Sequence, residues 1–136
     1  MGEVYTDIML KNSGDIELAH RGYIKTEDVR EVSVNAVVDT GAYDLCLTEE
    51  VFKTLGLRVI GHLTANVADG RSVTCSITAP VDVHWKDRST TVRATVVPGS
   101  KEVLLGAIPL EGMDLMVHPK KGEVVGVHGD QALYRI

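Results

Sequence analysis

The feature that most constrains the fold of this chain is an alternation of apolar and polar residues with a period of two. Residues 32–38 and 73–85 carry it most clearly, with apolar side chains at every second position. Successive side chains of a β-strand point to opposite faces of a sheet, so this period predicts strands with one buried face. Pro80 lies inside the second run and has no N–H to donate, so two shorter strands are expected there.

Shorter runs complete a mainly β pattern. They predict strands at about 4–10, 57–67, 90–97, 102–105, 114–117 and 123–128, with turns at 12–15, 69–70, 98–99 and 120–122. One helix is expected at about 48–55, because Thr48 can cap its start and Gly56 can end it. A second short helix is expected after Gly106. The predicted fold is a closed β-barrel or folded sheet with one or two short helices.

Composition limits the classes of function. The chain has 136 residues, 44% hydrophobic and 24% charged, which is typical of one globular domain spanning 1–136. A net charge of −5 without a basic patch disfavours nucleic acid and membrane surfaces, so a protein or peptide partner is expected. We expect no signal peptide, because charged residues interrupt positions 1–25, and no transmembrane helix, because no apolar run is long enough. Cys46 and Cys75 are too few for a disulfide framework, which favours core thiols and a reducing cytoplasm.

One short motif carries potential chemistry. An apolar strand ends in Val-Val-Asp-Thr-Gly-Ala at 37–42. This order places the Asp39 carboxylate at the mouth of a sheet. Thr40 offers a hydroxyl, and Gly41 permits backbone angles that a Cβ would resist. The alternative interpretation is an ordinary turn that begins with Asp.

A second motif gives the first its context. Residues 103–110 form an apolar strand stopped by Gly106 and followed by a short helical pattern. With both motifs in this order, the chain resembles the retropepsin-like small aspartic proteases of clan AA over roughly 32–128. It is most similar to the cellular and bacterial-type members, because residues 104–119 resemble the C-terminal signature of those members.

The resemblance implies an aspartic endopeptidase that uses two carboxylates and one water, without a metal or organic cofactor. The chain contains one Asp-Thr-Gly, so the second carboxylate is expected from another copy, in a homodimer with its active site on the two-fold axis. Asp39, Thr40 and Gly41 are the expected catalytic residues. By resemblance, Thr40 bonds across the axis, Gly41 lies near bound substrate, and Ala42 contributes to substrate binding.

A covering hairpin over an extended peptide is expected at 66–73. Ala68, Asp69 and Gly70 are its expected substrate-binding residues, because Asp-Gly between strand-like runs is typical of a tight hairpin. A plain surface turn is the alternative, since retroviral flaps have a more glycine-rich tip.

Two further features bear on assembly and on rival functions. Retroviral members usually continue after the equivalent of Gly106 with Arg and an acid or amide, whereas this chain has Ala107 and Ile108, so its dimer must be held differently. Residues 132–136 are candidates for intersubunit strands, or for a frayed tail. The five histidines lack zinc-type spacing, so no metal site is expected. The rival to an enzyme is a noncatalytic dimerisation or peptide-binding module with the same fold.

Overall fold

The chain folds mainly as β-strands. The structure is a computed structural model that describes residues 2–66 and 69–129. Within these residues the strands are β1 Val4–Asn12, β2 Glu31–Val38, β3 Leu45–Leu47, β4 Val59–Asn66, β5 Ser72–Thr78, β6 Val81–Trp85, β7 Arg88–Val92, β8 Ala94–Val96, β9 Leu104–Leu105, β10 Leu115–His118 and β11 Glu123–Gly126. The helices are α1 Ser13–His20, α2 Glu49–Leu55 and α3 Ala107–Gly112, with a 3-10 turn at Thr26–Asp28.

One large sheet organises the strands. Its nine strands follow the order β4-β5-β8-β3-β9-β2-β1-β6-β7, and β10 and β11 form a separate pair. β4 and β7 are the two ends, so the sheet is not closed, and of the two predicted forms the folded sheet is found. β2 pairs antiparallel with β1 and parallel with β9, which brings the two sequence motifs onto neighbouring strands.

The core uses the apolar positions of the period-two pattern. Ala36, Val81 and Val83 are fully buried, and Trp85 is a core residue as the alternation predicted. The expected break at Pro80 is confirmed, because it lies between β5 and β6. β3 was missing from the predicted strands: with three residues, it is too short to show a period.

The helix after the first motif forms for the expected reasons. The Thr48 side chain accepts a hydrogen bond from the Val51 N–H at 3.2 Å, and Gly56 ends α2 in the left-handed conformation with φ 58°. α3 follows Gly106 as predicted.

The first helix is a correction to the sequence prediction, which placed a turn at 12–15. Asn12 caps α1 instead, by accepting from the Asp15 N–H at 3.0 Å, and its amide donates to the Leu55 carbonyl at 2.8 Å. None of the helices in the described part of the chain is long and apolar enough to cross a membrane.

Candidate active site

Asp39 lies at the point where the central strands end. It follows β2 directly, and its N–H donates to the Leu105 carbonyl at 3.0 Å, while the Val37 N–H donates to Val103 at 2.9 Å. Parallel pairing with β9 therefore continues up to Asp39 itself. The aspartate backbone is held by the sheet, and the side chain is half-buried.

A tight turn holds the Asp39 carboxylate. Oδ1 accepts from the Gly41 N–H at 2.9 Å, and the Asp39 carbonyl accepts from the Ala42 N–H at 3.1 Å. Within 2–66 and 69–129, Oδ2 makes no hydrogen bond. One carboxylate oxygen is thus fixed by the turn, and the other can still accept a hydrogen bond.

The reason for glycine at position 41 is not the special backbone angles that the sequence predicted. Its φ lies outside the left-handed region. A Cβ added there would instead lie 3.2 Å from Oδ1 of Asp39, so close approach to the carboxylate makes glycine favourable.

Thr40 and Ala42 flank this turn in different ways. Thr40 is exposed, and no residue in the described parts of the chain accepts or donates a hydrogen bond to its hydroxyl. Ala42 is half-buried, and its carbonyl accepts from the Ala107 N–H at 2.8 Å. The structure therefore brings Asp39, Thr40, Gly41 and Ala42 together at one surface.

The two motifs cross in direct backbone contact. The Gly106 N–H donates to the Asp44 carbonyl at 3.1 Å, and the Ile108 N–H donates to the Tyr43 carbonyl at 2.8 Å. A Cβ on Gly106 would lie 2.3 Å from the Asp44 oxygen and 2.7 Å from the Ala42 oxygen. Only glycine permits this crossing, because main-chain oxygens cannot move aside as a flexible side chain can.

Two residues beside the turn were missed by sequence reasoning. The side chain of Tyr43 is 79% exposed next to the motif, and Asp44 accepts from the Thr95 hydroxyl at 3.3 Å. Their signal was their position directly after Ala42, but neither residue type is distinctive in a turn.

The neighbouring thiol is poorly suited to be a nucleophile. Burial, followed by the negative charge of Asp44 and smaller effects of Cys75 and Asp39, raises the pKa of Cys46 to about 11. Since the thiolate is the reactive form, Cys46 is an inert thiol, as expected for a residue between the core positions Leu45 and Leu47.

The expected hairpin forms, because Asn66 at the end of β4 pairs with Ser72 at the start of β5. Ala68 lies outside the described residues. Asp69 and Gly70 are exposed, Gly70 has φ 85°, and Asp69 pairs with Arg71 at 2.6 Å.

The described part of the hairpin tip shares no hydrogen bond with the Asp39 turn. Within the described residues, neither Asp69 nor Gly70 makes a hydrogen bond to the turn at 39–42, and no second carboxylate shares a hydrogen bond with Asp39. Residues 132–136, the candidates for intersubunit strands, lie outside the described residues.

Comparisons with known proteins agree with this arrangement. A family model described as "gag-polyprotein putative aspartyl protease" matches residues 27–118, which include β2, the crossing and β10. No curated protein matches the chain.

Two solved structures share the fold at low sequence identity. EIAV protease complexed with the inhibitor HBY-793 has a TM-score of 0.54 at 19% identity, covering 81% of this chain and 86% of that one. The retroviral protease-like domain of Ddi1 from Leishmania major has a TM-score of 0.58 at 16% identity, covering 97% of this chain and 91% of that one. At these identities the likeness concerns the fold alone.

Proposed function

This chain belongs to the gag-polyprotein aspartyl protease family and is retropepsin-like, as the resemblance predicted, and we propose that it is an aspartic endopeptidase acting as a homodimer. Asp39 is its catalytic carboxylate, with Thr40 and Gly41 completing the catalytic turn. The domain extends over 1–136.

One observation carries the proposal. The Asp39 carboxylate is fixed through one oxygen at the end of a buried strand, while its other oxygen is without a hydrogen bond in the described parts of the chain. An oxygen left free beside a rigid turn can accept a hydrogen bond from a water molecule. This geometry supports a group that binds a water molecule.

In an aspartic protease, hydrolysis uses two carboxylates that share one proton. The ionised carboxylate accepts a proton from water as the water oxygen attacks the peptide carbonyl carbon. The protonated carboxylate donates its proton to the carbonyl oxygen, which gives a neutral tetrahedral diol. The C–N bond then breaks as the newly protonated carboxylate gives its proton to the amine nitrogen, while the other carboxylate takes a proton from one diol hydroxyl. This gives the carboxylic acid and the amine, and restores the single shared proton.

The second carboxylate comes from Asp39 of the partner subunit. A two-fold axis places the same surface opposite itself, and the exposed turn at Thr40 and Gly41 is suited to such a contact. The Thr40 hydroxyl is available for a hydrogen bond across that axis. One copy alone then has half of a site.

Substrate binds as an extended peptide between the turn and the hairpin of β4 and β5. The N–H and carbonyl of Ala42 are both used within the chain, so it contributes its methyl group. Asp69 and Gly70 contact substrate from the exposed tip. Ala68 is proposed for the same role and lies outside the described residues.

The alternative is a noncatalytic dimerisation or peptide-binding module. It is supported by the local geometry of the turn, because Oδ1 of Asp39 accepts from the Gly41 N–H, a hydrogen bond that an aspartate serving only the turn would also make. The two functions differ in whether peptide bonds are broken.

Both cysteines are free, Cys75 buried and Cys46 half-buried. Free thiols are ordinary in a reducing compartment, which supports the cytoplasm as the location.

Cleavage of a peptide library tests the proposal. Wild type, Asp39→Asn and the control Asp87→Asn, an exposed aspartate in the β6–β7 turn, are incubated from about pH 3 to pH 7, and products are identified by mass spectrometry. We expect Asp39→Asn to lose at least about 100-fold in rate and Asp87→Asn to stay near wild type. Equal cleavage by wild type and Asp39→Asn would contradict the assignment.

Sedimentation tests the shared site. Activity should rise with the fraction of dimer, because two copies supply one pair of carboxylates. A strictly monomeric species with full activity would exclude the dimer, and a stable dimer that cleaves nothing would favour the binding module.

A further inference from the structure

A surface depression lies on a part of the molecule far from Asp39. It has a volume of about 660 Å³, and we call it the distal pocket, lined principally by Leu18, Arg21, Tyr23, Arg30, Arg58 and Pro80.

The strand β2 separates the distal pocket from the candidate active site. Arg30 precedes β2 and Asp39 follows it. At about 3.3 Å per residue, these two positions are roughly 30 Å apart along an extended strand. The helix α1 and Tyr23 precede residue 27, where the family match begins, so the shared family region does not account for this wall of the pocket.

The distal pocket presents exposed apolar side chains. Tyr23 is 75% exposed and Leu18 is 42% exposed, and both line the depression together with Ala79 and Pro80. A concave apolar surface with an aromatic side chain at its edge is typical of sites that receive one apolar side chain of a partner.

The acidic residues of the pocket are already neutralised. Asp15 is buried and accepts from Nε and Nη2 of Arg30 at 2.8 and 2.9 Å. Glu17 accepts from Nε of Arg21 at 2.8 Å. These hydrogen bonds from arginine lower the pKa of both carboxyls, so both are ionised and paired at neutral pH.

Arg58 leaves the pocket with a positive charge in excess. It is exposed, and within 2–66 and 69–129 no carboxylate forms an ion pair with it. Three arginines and two acids line the pocket of a chain whose net charge is −5. The local charge is therefore opposite in sign to that of the whole protein.

We propose that the distal pocket binds an extended segment of a partner protein in which a Leu or Phe stands beside an Asp or Glu. The apolar side chain packs against Leu18, Tyr23 and Pro80, and the carboxylate pairs with Arg58. One unpaired cation in an acidic chain is a poor site for a polyphosphate backbone, so a peptide fits better than a nucleic acid.

Binding is measured by fluorescence anisotropy, with every protein in the Asp39→Asn background so that no probe is cleaved. The probes are three short labelled peptides: one with adjacent Leu and Glu, one with Lys in place of that Glu, and one with Ser in place of that Leu. A labelled oligonucleotide is the fourth probe. Because this assay does not involve cleavage, a failure to bind peptide would not contradict the proposed protease activity. Absence of protease activity would likewise not contradict peptide binding at the distal pocket.

We expect the Leu-Glu peptide to bind and the other two peptides to bind about tenfold more weakly. Arg58→Glu should lose about tenfold in affinity, Arg58→Gln somewhat less, and Leu18→Ser several-fold. The matched control Lys121→Glu reverses an exposed charge in the β10–β11 turn and should stay within about twofold. Circular dichroism checks that each variant is folded, as expected for exposed positions.

Four results would overturn the proposal: equal binding of the three peptides, equal effects of Arg58→Glu and Lys121→Glu, binding of the oligonucleotide alone, or no peptide binding at about millimolar concentration.

Discussion

One methyl group added at Gly106, where the two motifs cross, should destabilise the folded protein. In Gly106→Ala the new Cβ would lie 2.3 Å from the Asp44 oxygen, 2.7 Å from the Ala42 oxygen and 2.8 Å from the Tyr43 carbonyl carbon. All three contacts are with main chain, so the 42–44 and 106–108 segments must separate by about 1 Å to relieve them.

The cost follows from the contacts that this separation disturbs. Overpacking costs about 1–3 kcal/mol, and weakening the hydrogen bonds from Gly106 and Ala107 costs about 1 kcal/mol each. We therefore expect Gly106→Ala to lower the free energy of unfolding by roughly 3–5 kcal/mol, a large part of the 5–15 kcal/mol typical of a domain.

Equilibrium urea unfolding measures the effect, with two other glycines as references. A Cβ at Gly61 would meet the Ile77 side chain at an ordinary 3.8 Å, and one at Gly41 would meet a side-chain oxygen at 3.2 Å. We expect Gly61→Ala to cost less than about 1 kcal/mol and Gly41→Ala to lie between the two. A midpoint for Gly106→Ala equal to that of Gly61→Ala, with unchanged slope, would refute the reasoning.

Three further perturbations follow from buried and paired groups. Arg30 holds the pKa of Asp15 below its ordinary 3.8, so this pair stabilises the protein above that pH and the stability is lost as pH falls below it. Asp15→Asn should cost about 1–3 kcal/mol at pH 7 and remove this loss of thermal stability below about pH 4, and an unchanged pH profile would count against it. Buried Arg88 donates to three main-chain carbonyls, so Arg88→Met should cost about 3 kcal/mol or more, with Arg93→Met, an exposed position, as the control; equal midpoints would contradict this. With its pKa raised to about 11, Cys46 should react with iodoacetamide at neutral pH at least about 100-fold more slowly than glutathione, measured by mass spectrometry, and similar rates would be inconsistent with burial.

Local signals in the sequence were reliable where one residue decides the geometry. Thr48 starts α2 and Gly56 ends it, because a cap and a left-handed terminus need only neighbouring residues. Asn12 starts α1 by the same chemistry, but its surroundings resembled a turn, and the helix is also fixed by a bond from Asn12 to the distant Leu55 carbonyl. That second contact has no local signature.

The candidate site shows the same division between local and long-range features. The sequence by itself determined that an apolar strand ends in Asp39, and that one chain holds only one such turn. Alternation with a period of two is a local property of strands, so the β architecture was also predictable.

Only the tertiary structure decided how the turn is held. The hydrogen bond from the Asp39 N–H to the Leu105 carbonyl and the crossing at Gly106 both join residues distant in sequence. The open folded sheet and the distal pocket depend likewise on register and long-range packing. The spacing of residues along a chain reports local conformational preferences. The features above depend instead on which strands pair and how closely their backbones approach.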